Sequence, residues 1–202
     1  MRRTLSTLLI LSAVALPAFA APEMRAITED GRKVLLSRDG KWRFDSNVLP
    51  ALTPQESGSP YQTAVKRFKV AFSTNDWILL PKKDTDEANK RTFQHKTYPL
   101  YAMVIADEMP AATPMVKSVI LANAKSTAQS VTVLTDETQQ VNGKEVGAIK
   151  FAAAVKGLEF VFQTYYYADT DGNIQVTCFT GQTIFFKYQA ECQKFLGGLT
   201  IQ

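Results

Sequence analysis

The feature that most constrains this chain is a stretch of about forty residues punctuated by two hairpin signals, Asn142-Gly143 and Asp171-Gly172. Both dipeptides supply the positive φ angles that tight hairpin turns require. Between them Ile149, Phe151, Ala153 and Val155 fall at alternate positions. After Gly157, so do Leu158, Phe160, Phe162, Thr164 and Tyr166. A period of two marks extended strands with one apolar face. Ile174, Val176 and Cys178 repeat the pattern beyond the second turn. Three long antiparallel strands in succession commit the chain to an antiparallel sheet, whose apolar face must be covered by other elements.

The rest of the sequence supplies those elements. Phe68, Val70 and Phe72 alternate as a strand, Thr74-Asn75-Asp76 turns the chain into Trp77–Leu80, and a polar loop over 82–90 leads to strands at about 91–97 and 100–107. Thr113-Pro114 opens a helix, with Thr113 as N-cap and Pro114 at the first helical position. Val116, Val119, Ile120 and Ala124 form its apolar stripe. A strand follows near 130–135. A closing helix over about 183–196 places Ile184, Tyr188, Cys192 and Phe195 on one face. The fold class is therefore α+β, an antiparallel sheet with packed helices.

The turn before Trp77, the long hairpins and the closing helix make residues 61–202 resemble the PsbP-like fold, an antiparallel sheet with helices against it. Members of that group are mostly binding or accessory proteins without catalysis. The resemblance implies a fold and carries no functional residue with it, since fold does not fix function.

Before this domain, Asp30-Gly31 and Asp39-Gly40 separate the runs Met24–Thr28, Lys33–Leu36 and Lys41–Phe44. These predict a small β-meander over 21–45. The string D-G-R-K-V-L-L-S-R-D-G-K-W is similar to a short segment of small exported bacterial proteins. Such a ribbon is too short to be stable alone and needs a surface for Val34, Leu36, Trp42 and Phe44. Pro50, Pro54, Ser57, Gly58, Ser59 and Pro60 mark 46–60 as a linker.

The first twenty residues read as an address. Arg2 and Arg3 precede an uncharged run over 5–16, and Ala18-Phe19-Ala20 follows Pro17. A basic start, a short apolar run and small residues at two positions form a secretory signal, with cleavage after Ala20. The run is too short to span a membrane. The reading places the mature protein in the periplasm or outside the cell, with no membrane span after cleavage.

Losing Arg2 and Arg3 reduces 23 Lys+Arg to 21 against 19 Asp+Glu, a net charge of +2. With its basic residues scattered, the mature chain has no nucleic-acid signature. An oxidising compartment favours joining its two cysteines. Cys178 shares a strand face with Ile174 and Val176, and Cys192 lies on the apolar face of the last helix. A helix laid across the sheet brings both sulfurs into one interface. The bridge closes a 15-residue loop and contributes roughly 3 kcal/mol in the chain-entropy model. Two buried free thiols are the alternative.

Chemistry is sparse. His95 is the sole histidine and sits in a plain strand, so a nucleophile–histidine arrangement or a zinc site lacks partners. Asp169-Thr170-Asp171-Gly172-Asn173 has glycine too early for a calcium loop and fits a hairpin turn. Asp107 and Glu108, adjacent on a strand, point in opposite directions. Met103, Met109 and Met115 fit core filling rather than copper ligation. No catalytic, cofactor or metal site is expected. The one candidate surface is aromatic: Val161, Tyr165 and Tyr167 on the non-core face of their strand, beside Phe179 on the next. Aromatic patches of this kind mark contact surfaces, or are covered within the molecule.

These readings favour an exported, non-catalytic binding or accessory protein that contacts another exported or envelope protein. Two alternatives stay open: a carrier of a small ligand or lipid in a groove between sheet and helix, beside the alanine run 152–154, and a hydrolase built around His95 or a carboxylate pair.

Overall fold

The computed structural model describes residues 60–83 and 87–202 in full, and the backbone of three short strands before them. The signal sequence, its cleavage point, the side chains of the meander and linker residues 46–59 lie outside the described residues. The chain divides into two units between Asp45 and Ser46.

The first unit contains β1 (Met24–Ile27), β2 (Lys33–Leu36) and β3 (Trp42–Phe44), paired antiparallel in the order β1-β2-β3. Met24 lies opposite Leu36, and Leu36 opposite Trp42. This is the meander that its two Asp-Gly signals predict.

The second unit contains β4 (Tyr61–Gln62), β5 (Phe68–Val70), β6 (Trp77–Leu79), β7 (Lys90–His95), β8 (Tyr101–Asp107), α1 (Thr113–Thr127), β9 (Ser130–Val141), β10 (Lys144–Val155), β11 (Leu158–Asp169), β12 (Gly172–Gly181), α2 (Gln182–Gly197) and β13 (Leu199–Ile201). Seven strands form one antiparallel sheet in the order β6-β7-β8-β12-β11-β10-β9, and β13-β5-β4 form a second, small sheet. The α+β architecture with a long central meander follows the expectation.

The hairpins sit where their sequences place them. Asn142 and Gly143 have φ of 48° and 80°, and Lys156 and Gly157 have 52° and 79°, so each of these turns uses two left-handed residues. At the expected Asp171-Gly172 turn only Gly172 is positive, at 139°, because it closes the hairpin opposite Asp169 and the chain turns through Thr170 and Asp171. β9 runs on from the expected 130–135 to Val141, because the Asn142-Gly143 turn extends it along β10. Thr135 pairs with Lys150 and Val133 with Phe151, which leaves Leu134 as a bulge.

The two faces of the large sheet carry different layers. On one face α2 crosses β11 and β12, while the small sheet sets Tyr61 against Phe93 of β7 and Phe68 against Tyr167 of β11. Phe68, Phe93, Val104, Ile174, Val176, Phe195 and Leu196 meet there. On the other face, α1 is the helix that packs among the described residues, setting Val116 and Ile120 against Ile149, Phe151, Ala153 and Tyr166.

Four details differ from the sequence reading. The α1 N-cap is Ala112, with no side-chain cap; Thr113 instead donates its hydroxyl to the Ala168 carbonyl at 3.1 Å. Val119 of its expected stripe is 44% exposed, because α1 meets the sheet along a narrow line through Val116 and Ile120. The α2 core face is Phe185, Cys192, Phe195 and Leu196, rotated slightly from Ile184 and Tyr188. Met109 and Met115 are exposed rather than core-filling, since Met109 lies in the loop between β8 and α1 and Met115 points away from the sheet, beside the buried Val116.

Cys178 and Cys192 are joined, with Cα atoms 5.4 Å apart and both residues fully buried. The bond fastens the middle of α2 to the centre of β12.

Candidate functional site

The sequence pointed to Val161, Tyr165, Tyr167 and Phe179 as one exposed aromatic face. The pairing register separates them. Val161 lies opposite Thr180, Tyr165 opposite Val176, Tyr167 opposite Ile174, while Phe179 lies opposite Phe162. The first three therefore share the α2 face with Val176 and Ile174, and Phe179 belongs to the other face. Val161 is 4% and Tyr165 1% exposed, covered within the molecule. Burial, with Glu137 nearby, pushes the Tyr165 phenol up to about 12. Tyr167 donates its hydroxyl to Asp169 at 3.1 Å. The misassignment came from treating one strand face as the core; β11 is buried on both.

Register also assembles what the sequence did not show. Tyr101, Phe179, Phe162 and Phe151 lie directly opposite one another across β8, β12, β11 and β10. Their rings form a continuous stack. Tyr101 and Phe179 have centroids 5.7 Å apart, Phe179 and Phe162 5.1 Å, and Phe162 and Phe151 5.0 Å, with interplanar angles of 24°, 23° and 10°. Aromatic pairs of this kind contribute about 0.5–1.5 kcal/mol each beyond burial.

The stack runs out from beneath α1. Phe151 is enclosed by the helix, Phe162 and Phe179 are half-buried, and Tyr101 is 37% exposed. α1 sits over β9, β10 and β11 and touches β12 only at its margin. Beyond it, the same face carries half-buried Met103 and Ile105, then Thr92 and Gln94, then exposed Ile78. Gln175 and Thr177 lie alongside on β12. Charge appears only at the far end of the strands, at Lys90 and Asp107. An uncharged, aromatic-rich face with a polar margin has the composition of a protein-contact core.

The other candidates are structural. His95 is 4% exposed, and its Nδ1 accepts the backbone N–H groups of Thr97 and Tyr98, both at 3.1 Å. Burial lowers its pKa, with Asp76 and Glu191 opposing that shift. Asp107 accepts from Asn89 Nδ2 at 3.1 Å and from the Met109 N–H at 2.9 Å, which engages both of its oxygens. Asp169 and Asp171 are bridged by Arg67 Nη1, at 3.0 Å and 2.7 Å. That guanidinium ties the β11–β12 hairpin to the β4–β5 turn, so the Asp169–Asn173 segment is a salt-bridged turn. Among the described residues no three His, Cys, Asp or Glu side chains group as metal ligands. None of the described helices is long and apolar enough to cross a membrane.

Neither a protein-family model nor a curated protein sequence matches this one. Solved structures do match in shape. The cyanobacterial PsbP protein CyanoP of Synechocystis sp. PCC 6803 superposes with a TM-score of 0.53 at 11% identity, over 73% of this chain and 94% of that one. LpqN of Mycobacterium tuberculosis, described as involved in cell envelope biogenesis, gives 0.44 at 11% identity, over 72% of this chain and 85% of that one. At such identities the likeness establishes the fold alone, and the fold is PsbP-like.

Proposed function

We propose that this protein is an exported, non-catalytic accessory protein that binds another exported or envelope protein through the open half of its large sheet. The observation that carries the reading is the stack Tyr101–Phe179–Phe162 emerging from under α1 onto an uncharged face. Scattered apolar residues are ordinary on a surface; an ordered row adjoining Met103 and Ile105 is not. Aromatic side chains supply large contact area at little cost in rotamer freedom. The buried Cys178–Cys192 bond supports an oxidising compartment, in keeping with the amino-terminal signal.

The test is site-specific photo-crosslinking in the native host. A benzophenone amino acid at Tyr101 is expected to yield a discrete adduct with an exported protein, absent when the same probe replaces Phe186, which is exposed on α2. Phe179→Ser, checked for retained fold by circular dichroism, is expected to abolish the adduct. Equal adducts at the two positions, or an adduct insensitive to Phe179→Ser, would overturn the proposal.

A further inference from the structure

The β7–β8 turn holds a device that neither the fold nor the contact surface requires. The His95 ring ends β7 and folds back over its own turn, where Nδ1 accepts both Thr97 N–H and Tyr98 N–H at 3.1 Å. A nitrogen that accepts two hydrogen bonds carries no proton, so the neutral ring bears its hydrogen on Nε2. Asparagine side chains commonly cap turns in the same way, through an oxygen. An imidazole differs in one respect, since it can be switched off by a proton.

The ring is also the centre of an aromatic column. It stacks on Tyr98 at 4.6 Å, and Tyr98 stacks on Tyr188 of α2 at 4.8 Å. Trp77 meets its edge at 5.1 Å. The turn sets where β8 begins: His95 N–H donates to Leu100 O at 3.0 Å, and Thr180 Oγ1 donates to Pro99 O at 2.5 Å. Leu100 is fully buried, and the next residue is Tyr101, the outer ring of the stack on the sheet face.

We propose that His95 is an acid-operated latch: protonation of Nδ1 releases the 96–100 turn and loosens the seating of Tyr101. The imidazolium places an N–H where two backbone N–H groups point, so three donors converge and both amides lose their acceptor. The charged groups facing the ring are Asp76 from the loop before β6, and Glu191 and Lys194 from α2. Asp76 and Glu191 favour the charged ring, whereas burial, the largest effect, and Lys194 disfavour it. The balance lies below the ordinary value of 6.5, so the latch is closed at neutral pH and opens in mild acid. The consequence for partner binding rests on the function proposed above; the latch itself does not.

Amide hydrogen exchange measured by NMR on the full chain, corrected for intrinsic rates, tests it between pH 7.5 and 4.5. Protection at Thr97 and Tyr98 is expected to fall at least tenfold, following the His95 ring titration. Amides of Thr164 and Thr177 in the sheet centre are expected to hold. The ring–ring NOE between Tyr101 and Phe179 is expected to weaken in step. His95→Asn, which keeps an acceptor that does not titrate in this range, is expected to retain protection at both pH values. The latch is refuted if Thr97 and Tyr98 stay protected while the ring titrates, if His95→Asn loses protection equally, or if every amide opens together. A failed crosslink at Tyr101 alongside local release would instead refute the partner reading and leave the latch standing.

Discussion

Removing the Cys178–Cys192 bond by Cys178→Ala with Cys192→Ala tests how the fold is held. The bonded residues are 14 apart in sequence, closing a loop of 15 residues. Loop-closure entropy of about −10 cal/mol/K for that length gives roughly 3 kcal/mol at 25 °C. The native state should survive the loss, because Phe185, Phe195 and Leu196 still bury the α2 face. The effect therefore falls mainly on the unfolded chain. Each truncation also removes a fully buried sulfur, adding about 1 kcal/mol of lost packing per site. A total of about 4–5 kcal/mol is a large share of the ~5–15 kcal/mol that domains possess. At about 2–4 °C per kcal/mol for this size, the melting temperature should drop by roughly 8–20 °C. Urea unfolding followed by tryptophan fluorescence and far-UV circular dichroism measures it, and reduction of the wild type under the same conditions separates loop entropy from packing. A loss below about 1 kcal/mol in the double variant would show that α2 docking does not depend on this constraint.

Three further outcomes follow from particular contacts. Phe195→Ala removes a ring that meets Trp77 at 4.6 Å and Phe93 at 5.2 Å, and should cost about 3–5 kcal/mol in chemical denaturation. Gly198→Ala places a Cβ on the Ala71 carbonyl oxygen, where backbone rather than a movable side chain must yield. About 3 kcal/mol or more of destabilisation is expected, against little change for Gly181→Ala, whose nearest neighbour is 3.9 Å away; equal behaviour of the two would contradict the close approach. The Tyr165 phenol is raised from 10.0 to about 12, so the fold prefers its neutral form. That stability is complete below pH 10 and is lost as pH rises through 12, amounting to about 3 kcal/mol at most. Tyr165→Phe should flatten the slope of stability against pH in that range, and an unchanged slope would mean the phenol is not held neutral by burial.

Much of the secondary structure was legible because local chemistry dictates it. Asn142-Gly143 turns with two left-handed residues, the alternation from Ile149 to Tyr166 permits only strands, and the last helix carries its own apolar stripe. The disulfide was legible for the same reason, since period two placed Cys178 on the core side and period 3.6 placed Cys192 facing it. The small sheet was not. β13 and β4 are three and two residues long, too short to leave a periodic signal, and they exist because β5 lies between them.

The contact surface shows where local reading stops. Alternation tells that Tyr165 and Phe162 point to opposite sides of β11, but it is silent on which side α2 or α1 takes. It is equally silent on whether Phe179 aligns with Phe162 or with Val161, since one residue of register moves every side chain to the other face. Strands, turns, helices and the faces on which the two sulfurs lie were readable in advance, because neighbours within a few residues set them. Tertiary structure alone decided which aromatics stack into one row and which part of it α1 leaves open, because both depend on pairing between segments up to about eighty residues apart.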